Sequence, residues 1–306
     1  MTAQVEYLTG ARHNVTGILL MIASMALFAM EDALLKLGSS DLPTGQMVLV
    51  NCAFGTVFFG LMAQVRGEKP FARAVWTGLP LMRSLTEVVN TILYVTALAL
   101  IPLSMTAAML QATPIIITAA AAIFFGEKVG WRRWTAISIG FLGVMIILRP
   151  GAEGFRPAAI LALVSAVTLA MRELFTRRIP TSLGTMQLGF AANACLTVLG
   201  VVMMQVQGGW ITPSLGQWGI LTGIILCATV GYTMVIGAAR MGEVAVVTPF
   251  RYVRLPFAMI IALFLFAEVP DTATLIGSAL VIGTGLYTLA RERMVARQRK
   301  NRAVPR

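Results

Sequence analysis

The stretch LFAMEDALLK, Leu27–Lys36, closes an apolar run that begins near Thr16 and sets two adjacent acids, Glu31 and Asp32, inside it. About twenty consecutive apolar residues is the length a helix needs to cross a bilayer. An ionised carboxylate in hydrocarbon costs several kcal/mol, so acids in such a run face partners or a watery interior. Whether the run is a membrane span therefore decides how the rest of the chain is read.

The composition settles that question. The chain has 306 residues, of which 58% are hydrophobic and 12% charged, with a mean hydropathy of +0.82. A soluble globular domain has about 45–50% apolar and about 25% charged residues. A core in water has no place for the excess, so the class is a polytopic α-helical membrane protein. The first run is longer than a signal-peptide core and no small-residue cleavage site follows it, so it reads as the first transmembrane helix.

Ten spans can be drawn: 16–36, 45–65, 76–99, 104–126, 131–149, 157–176, 185–206, 216–238, 244–266 and 272–290. Each holds about 19–24 residues, enough to cross about 30 Å at about 1.5 Å per residue. Seventeen Lys and Arg residues lie at the N-terminus, in alternate loops and after the last span; three, Lys36, Arg149 and Arg156, lie in the opposite loops. The positive-inside rule then places both termini in the cytoplasm and the chain in the cytoplasmic (inner) membrane. The net charge of +11 comes mostly from these flanks. The basic segment RERMVARQRKNR, Arg291–Arg302, reads as a cytoplasmic tail beside anionic lipid, so the bilayer rather than nucleic acid is its expected partner.

Several chemistries are excluded. Cys52, Cys195 and Cys227 all sit in apolar runs, at spacings that match no metal or disulfide pattern. The one histidine, His13, lies in the N-terminal lead-in, so no nucleophile–His dyad forms at membrane depth. No phosphate-binding loop, H-E-x-x-H or G-x-S-x-G occurs. The expectation is no cofactor, no metal and no enzyme.

Four arginines, Arg83, Arg172, Arg251 and Arg254, and four acids, Glu31, Asp32, Glu87 and Glu173, fall inside spans, so their formal charge cancels. Buried charges persist when paired, and these groups are expected to face one another as ion pairs or gate elements. Arg83 and Glu87 stand four apart on one helical face, where an intrahelical pair can form. Arg251 and Arg254 share one side of span nine.

The chain also repeats itself. A shift of 141 residues brings AMED, Ala29–Asp32, onto AMRE, Ala170–Glu173, and Gln46 onto Gln187. It also brings Gln64-Val65 onto Gln205-Val206, and Glu127 onto Glu268; a shift of 142 brings Asn51 onto Asn193 and Pro114 onto Pro256. Two units of five spans, 1–150 and 151–291, follow, with the tail at 292–306. Because five is odd the units are inverted about an axis in the membrane plane, an architecture suited to alternating access.

The run LYVTALALIPLSMTAAMLQATPIIITAAAAIFFGEKVGWRRWTAISIGFLGVMIILRP, Leu93–Pro150, resembles the EamA-type repeat of the drug/metabolite transporter superfamily. Its second copy is AVVTPFRYVRLPFAMIIALFLFAEVPDTATLIGSALVIGTGLY, Ala245–Tyr287. The shared marks are a mid-span proline, an acid at a helix end and a final span of small residues. The resemblance covers essentially the whole chain. It implies a ten-helix secondary carrier with a central cavity from spans 1–4 and 6–9, braced by spans 5 and 10. It further implies export of amino acids or related metabolites, with a likeness to bacterial aromatic amino-acid exporters of the YddG kind. The residues of spans 5 and 10 agree with bracing: their interiors carry no charge and are rich in Gly, Ser and Thr.

The candidate substrate residues are polar groups near mid-depth. Glu87, Asn90 and Tyr94 share one face of span 3; Gln111, Asn193, Tyr232 and Tyr252 come from spans 4, 7, 8 and 9, and Asn51 of span 2 is a further polar group. Glu87 and the tyrosine hydroxyls can accept an ammonium, and Asn, Gln and Arg can hold a carboxylate; each of these residues can equally serve as glue between helices. Pro114 and Pro256 free the carbonyls of Leu110 and Tyr252. Those kinks are either packed bends or hinges with a ligand-facing carbonyl. Glu127 and Glu268 read as caps or interfacial anchors, and Gly219-x-x-x-Gly223 as a weak signal for close helix contact. The function expected is a carrier for a small molecule, an amino acid or related metabolite, for which a monomer suffices. The alternatives are a scaffold subunit without transport activity, or a carrier for a different metabolite or drug.

Overall fold

The structure, a computed structural model, describes residues 2–125, 130–151, 155–241 and 244–303. All regular structure among them is helical. The helices are α1 (Thr2–Gly38), α2 (Thr44–Val65), α3 (Gly78–Leu100), α4 (Leu103–Leu110), α5 (Thr113–Phe125), α6 (Trp131–Leu148), α7 (Ala158–Thr176), α8 (Thr185–Val206), α9 (Leu215–Met241), α10 (Val244–Val247), α11 (Arg254–Phe266) and α12 (Thr272–Ala303). Short 3₁₀ turns cover Arg73–Val75 and Thr248–Val253. Glu127 and Lys128 lie outside the described residues.

Among the described residues nine segments are long and apolar enough to cross a membrane. The expected third span is helical as α3 but does not pass on composition. Arg83, Ser84, Thr86, Glu87, Asn90 and Thr91 punctuate it, and several of these face an interior cavity. Helix and apolar run also differ in length at the two ends of the chain. α1 continues back through the polar lead-in to Thr2, and α12 continues through the basic segment to Ala303. Neither extension holds a proline or an internal glycine pair that would stop it, so hydropathy marks the membrane boundary there and not the helix boundary.

Prolines place the breaks. Ile101 precedes Pro102 and is driven extended, at φ −124° and ψ 165°, which ends α3. Pro114 cannot donate to the carbonyl of Leu110, and the helix parts there into α4 and α5. Gln111 N and Ala112 N bond three residues back, to Ala108 O at 3.2 Å and Met109 O at 3.1 Å, tightening the end of α4. Pro114 thereby becomes the second residue of α5, where its missing N–H costs nothing. The expected ninth span is broken more widely, with α10, the 3₁₀ turn holding Pro249, and α11 holding Pro256 as its third residue.

Packing is by pairs: α2 on α8, α1 on α9, α3 on α7, and α6 on α12, with α4 against α11. Small residues permit the closest approaches. A methyl on Gly200 would overlap the main chain of Leu49, and Gly143 and Gly277 each meet the other's carbonyl between α6 and α12. Of the Gly219-x-x-x-Gly223 motif only Gly223 is used, under Leu34 of α1; Gly219 faces open space. α6 and α12, the two helices expected to brace, thus pack on each other.

Candidate functional site

Helices α1–α5, α7–α9, the Thr248–Val253 turn, α11 and α12 surround a cavity of about 490 Å³. All four in-span acids and all four in-span arginines line it. Three cross-helix ion pairs organise them. Glu87 on α3 accepts from Arg172 Nη1 on α7 at 2.7 Å. Asp32 on α1 accepts from Arg254 on α11, through Nη2 at 2.6 Å and Nε at 3.2 Å, both on Oδ2. Glu173 accepts from Arg251 at 3.3 Å and lies 3.8 Å from Arg177, one turn along its own helix. A lone charge at this depth is strongly unfavourable, which is why the guanidiniums sit against the carboxylates.

The pairing differs from the local pattern in one place. The Arg83–Glu87 pair that the spacing allows, four apart on α3, is not formed. Arg83 instead donates across to Thr176 Oγ1 at 3.2 Å and to Leu188 O at 3.4 Å. Glu87 is claimed by Arg172, whose helix packs against α3. Helical spacing brings Arg83 and Glu87 within reach, but the facing helix supplies the nearer guanidinium.

The polar candidates are distributed around these pairs. Arg254 Nη2 also donates to the Tyr94 hydroxyl at 3.4 Å, and its guanidinium lies 5.5 Å over the ring of Phe28. Asn90 Oδ1 accepts from Thr168 at 3.4 Å, and Asn193 spends its amide on Gly189 O of its own helix at 2.9 Å. Tyr232 packs edge-on to Phe59 with ring centroids 5.1 Å apart. Gln111 donates to Tyr252 O at 2.9 Å. The Tyr252 hydroxyl is buried against Gly285 on α12 without a hydrogen-bond partner. Both carbonyls freed by the kinks are thus occupied by protein: Leu110 O by the Thr113 hydroxyl at 2.6 Å, and Tyr252 O by Gln111. Each carbonyl therefore has one protein donor, and both residues still line the cavity.

Phe28, Thr168 and Thr176 were not singled out from the sequence, since nothing in an apolar or hydroxyl side chain marks it as a neighbour of a charge. A set of contacts at the C-terminus of α3 was also hidden. Lys36 Nζ donates to Ile101 O at 2.6 Å and Leu98 O at 3.3 Å, at the C-terminus of α3, and lies 3.6 Å from Glu268. Glu268 Oε2 in turn accepts from Leu103 N at 2.8 Å, capping α4. Both placements suit helix-end charge, a cation at carbonyls and an anion at amides. Arg177 and Arg251, which also line the cavity, keep 61% and 43% of their side chains exposed.

This geometry has relatives. The EamA-like transporter family matches residues 15–149. An S-adenosylmethionine uptake transporter of Rickettsia bellii is 26% identical over 59% of this chain and 61% of its own length, so that match spans under two thirds of the relative. A pseudopaline exporter of Pseudomonas aeruginosa is 24% identical over 87% of this chain and 93% of its own length. A solved crystal structure shares the fold at a TM-score of 0.57 and 17% identity, over 92% of this chain and 99% of that one. The relatives and the family are transporters and not enzymes. Residues 15–149 of this chain are thus a domain of the EamA-like transporter family, in the drug/metabolite transporter superfamily.

Proposed function

We propose that the chain is a secondary transporter that exports amino acids, aromatic or otherwise neutral, or a closely related metabolite, across the cytoplasmic membrane. The observation that carries this reading is the cavity: about 490 Å³, lined by charges of both signs, with Asp32, Glu87 and Glu173 each held by an arginine and Arg177 exposed on its lining. A zwitterion in water gives up hydration at both poles on entering a membrane, and a cavity with fixed acids and guanidiniums replaces it at both. The Rickettsia relative is named for uptake of S-adenosylmethionine and the Pseudomonas relative for export of pseudopaline, and both names support a carrier of small molecules.

The mechanism proposed is alternating access by two inverted halves, 1–150 and 151–291, with the basic tail of 292–306 and both termini cytoplasmic. Exchange of each span with the one five places on turns the α1–α9 contact into α7–α3, and returns α2–α8 and α6–α12 to themselves; all four are the main packing pairs. Thr56 and Thr197, 141 residues apart, hydrogen-bond at 3.1 Å, and Gln111 and Tyr252 share the same separation. With the Lys- and Arg-rich flanks inside, the exposed Arg177 faces the cytoplasm, the loading side for export. Paired acids and arginines at Asp32–Arg254 and Glu173–Arg251 are then gates that part as the halves rock. One chain encloses the cavity, so a monomer suffices.

The test is flux in liposomes. Purified protein is expected to give saturable, competed counterflow of labelled amino acids, with and without a pH gradient to separate proton antiport from facilitated diffusion. Absence of saturable flux across the amino-acid panel overturns the assignment.

A further inference from the structure

Three of the four acids lining the cavity hold an arginine; Glu31 does not. Among the described residues no ion pair is formed by Glu31, and Asn51 of α2 is a polar neighbour of its carboxylate. Adjacent residues on a helix project about 100° apart. Asp32 therefore turns to α11 and takes both Nε and Nη2 of Arg254, while Glu31 turns to α2 and the cavity.

The groups around Glu31 can be read helix by helix. α2 brings Asn51 and Cys52, α3 brings Tyr94, α9 brings Cys227, and α11 brings Arg254. Arg254 is the one cation in that set, and its donors are spent on Asp32 and on the Tyr94 hydroxyl. Two carboxylates thus share a single guanidinium, so the set carries one negative charge whenever both are ionised. Such a surplus beside apolar walls is unfavourable unless something neutralises it. A proton neutralises it in the empty cavity, and a positive group entering from the cavity takes the proton's place beside the ring of Tyr94, which lines the same wall.

We infer that Glu31 is the residue that receives the positively charged group of the substrate, so that the cavity selects cationic and zwitterionic amines over anions of the same shape. The assignment takes the cavity as the substrate site proposed above and names the pole it reads. Glu87, already satisfied by Arg172, is left to position α3 against α7. Asn51 holds the Glu31 carboxylate toward the cavity.

Three labelled probes of one ring and different charge test this: phenethylamine, phenylalanine and 3-phenylpropionate, bound at equilibrium to the full chain in nanodiscs. Wild type is expected to bind the amine and the zwitterion at least tenfold tighter than the acid. Glu31→Gln, nearly isosteric, is expected to erase that preference with an unchanged melting temperature, and Glu31→Asp to keep part of it. Equal amine affinity in wild type and Glu31→Gln overturns the assignment, as does no amine binding to wild type. Loss of pH dependence in Glu31→Gln with amine affinity intact also overturns it, since Glu31 would then serve a proton alone. A charge preference that depends on Glu31 without any flux in liposomes upholds the assignment and removes the transport reading instead.

Discussion

Gln111 donates its side-chain amide to the main-chain carbonyl of Tyr252 at 2.9 Å, joining the two broken helices across 141 positions of sequence. Pro256 denies that carbonyl its helical partner, and at membrane depth no bulk water replaces it. The break at Pro114 leaves Gln111 at the end of α4, buried and free to turn toward α11. One kink thus supplies the donor that the other requires. Gln111→Leu is expected to lower stability by about 1–3 kcal/mol, the cost of an unsatisfied buried polar group. A melting temperature equal to wild type in detergent would show that the carbonyl finds water or another donor.

Arg172 and Glu87 form the tightest link between α3 and α7, at 2.7 Å. Arg172→Met leaves a buried carboxylate without its cation and is expected to cost about 3–5 kcal/mol. The double variant with Glu87→Leu should recover most of that loss, because the charge left behind is then gone. Thermal denaturation of the three variants checks this, and additive losses would argue against the pair. Glu87→Gln should still be expressed but lose most of its flux, since a neutral amide holds Arg172 weakly.

Lys36 ties the end of α3 to Glu268, which caps α4. Lys36→Met should release that end and favour the conformation open there. Cys52 lines the cavity and reports it. In a Cys195→Ser/Cys227→Ser background, a membrane-impermeant maleimide applied from the Lys36 side should label Cys52 about tenfold faster, the effect of a population shift of about 1.4 kcal/mol. An unchanged rate would mean that other contacts hold that end of α3.

Asp271, just before α12, carries a pH-dependent contribution. Burial alone would raise its carboxyl, but the Thr274 backbone N–H at 2.8 Å, the Thr274 hydroxyl and Arg149 outweigh burial and hold it below the usual carboxylate range. A depressed folded value stabilises the protein at neutral pH and loses that effect as pH falls through it. The Asp271 side chain is 55% exposed, so solvent screening keeps the gain below about 1 kcal/mol. Asp271→Asn should therefore lower the melting temperature slightly at pH 7 and converge with wild type in acid, once the depressed carboxyl is protonated. A gap that persists in acid would assign the effect to the cap's shape and not its charge.

The amino-acid sequence by itself determined the helical class, the apolar runs, the places where proline must break a helix, and the rule that charges at depth come in compensating numbers. Each follows from a local or additive property: hydropathy over twenty residues, a missing N–H, a sum of charges. Which charge meets which was decided by tertiary structure. Arg83 and Glu87 stand at pairing distance along one helix, yet Glu87 goes to Arg172. Glu31 and Asp32 are neighbours in sequence, yet one is paired and the other is not. Tyr252 lines the cavity, yet its hydroxyl is pressed onto Gly285 and its carbonyl takes the Gln111 amide. Local spacing says which side of a helix a residue takes. Only the rotation and depth of the facing helices say what waits there, and in a low-dielectric interior that partner sets the energy of the charge.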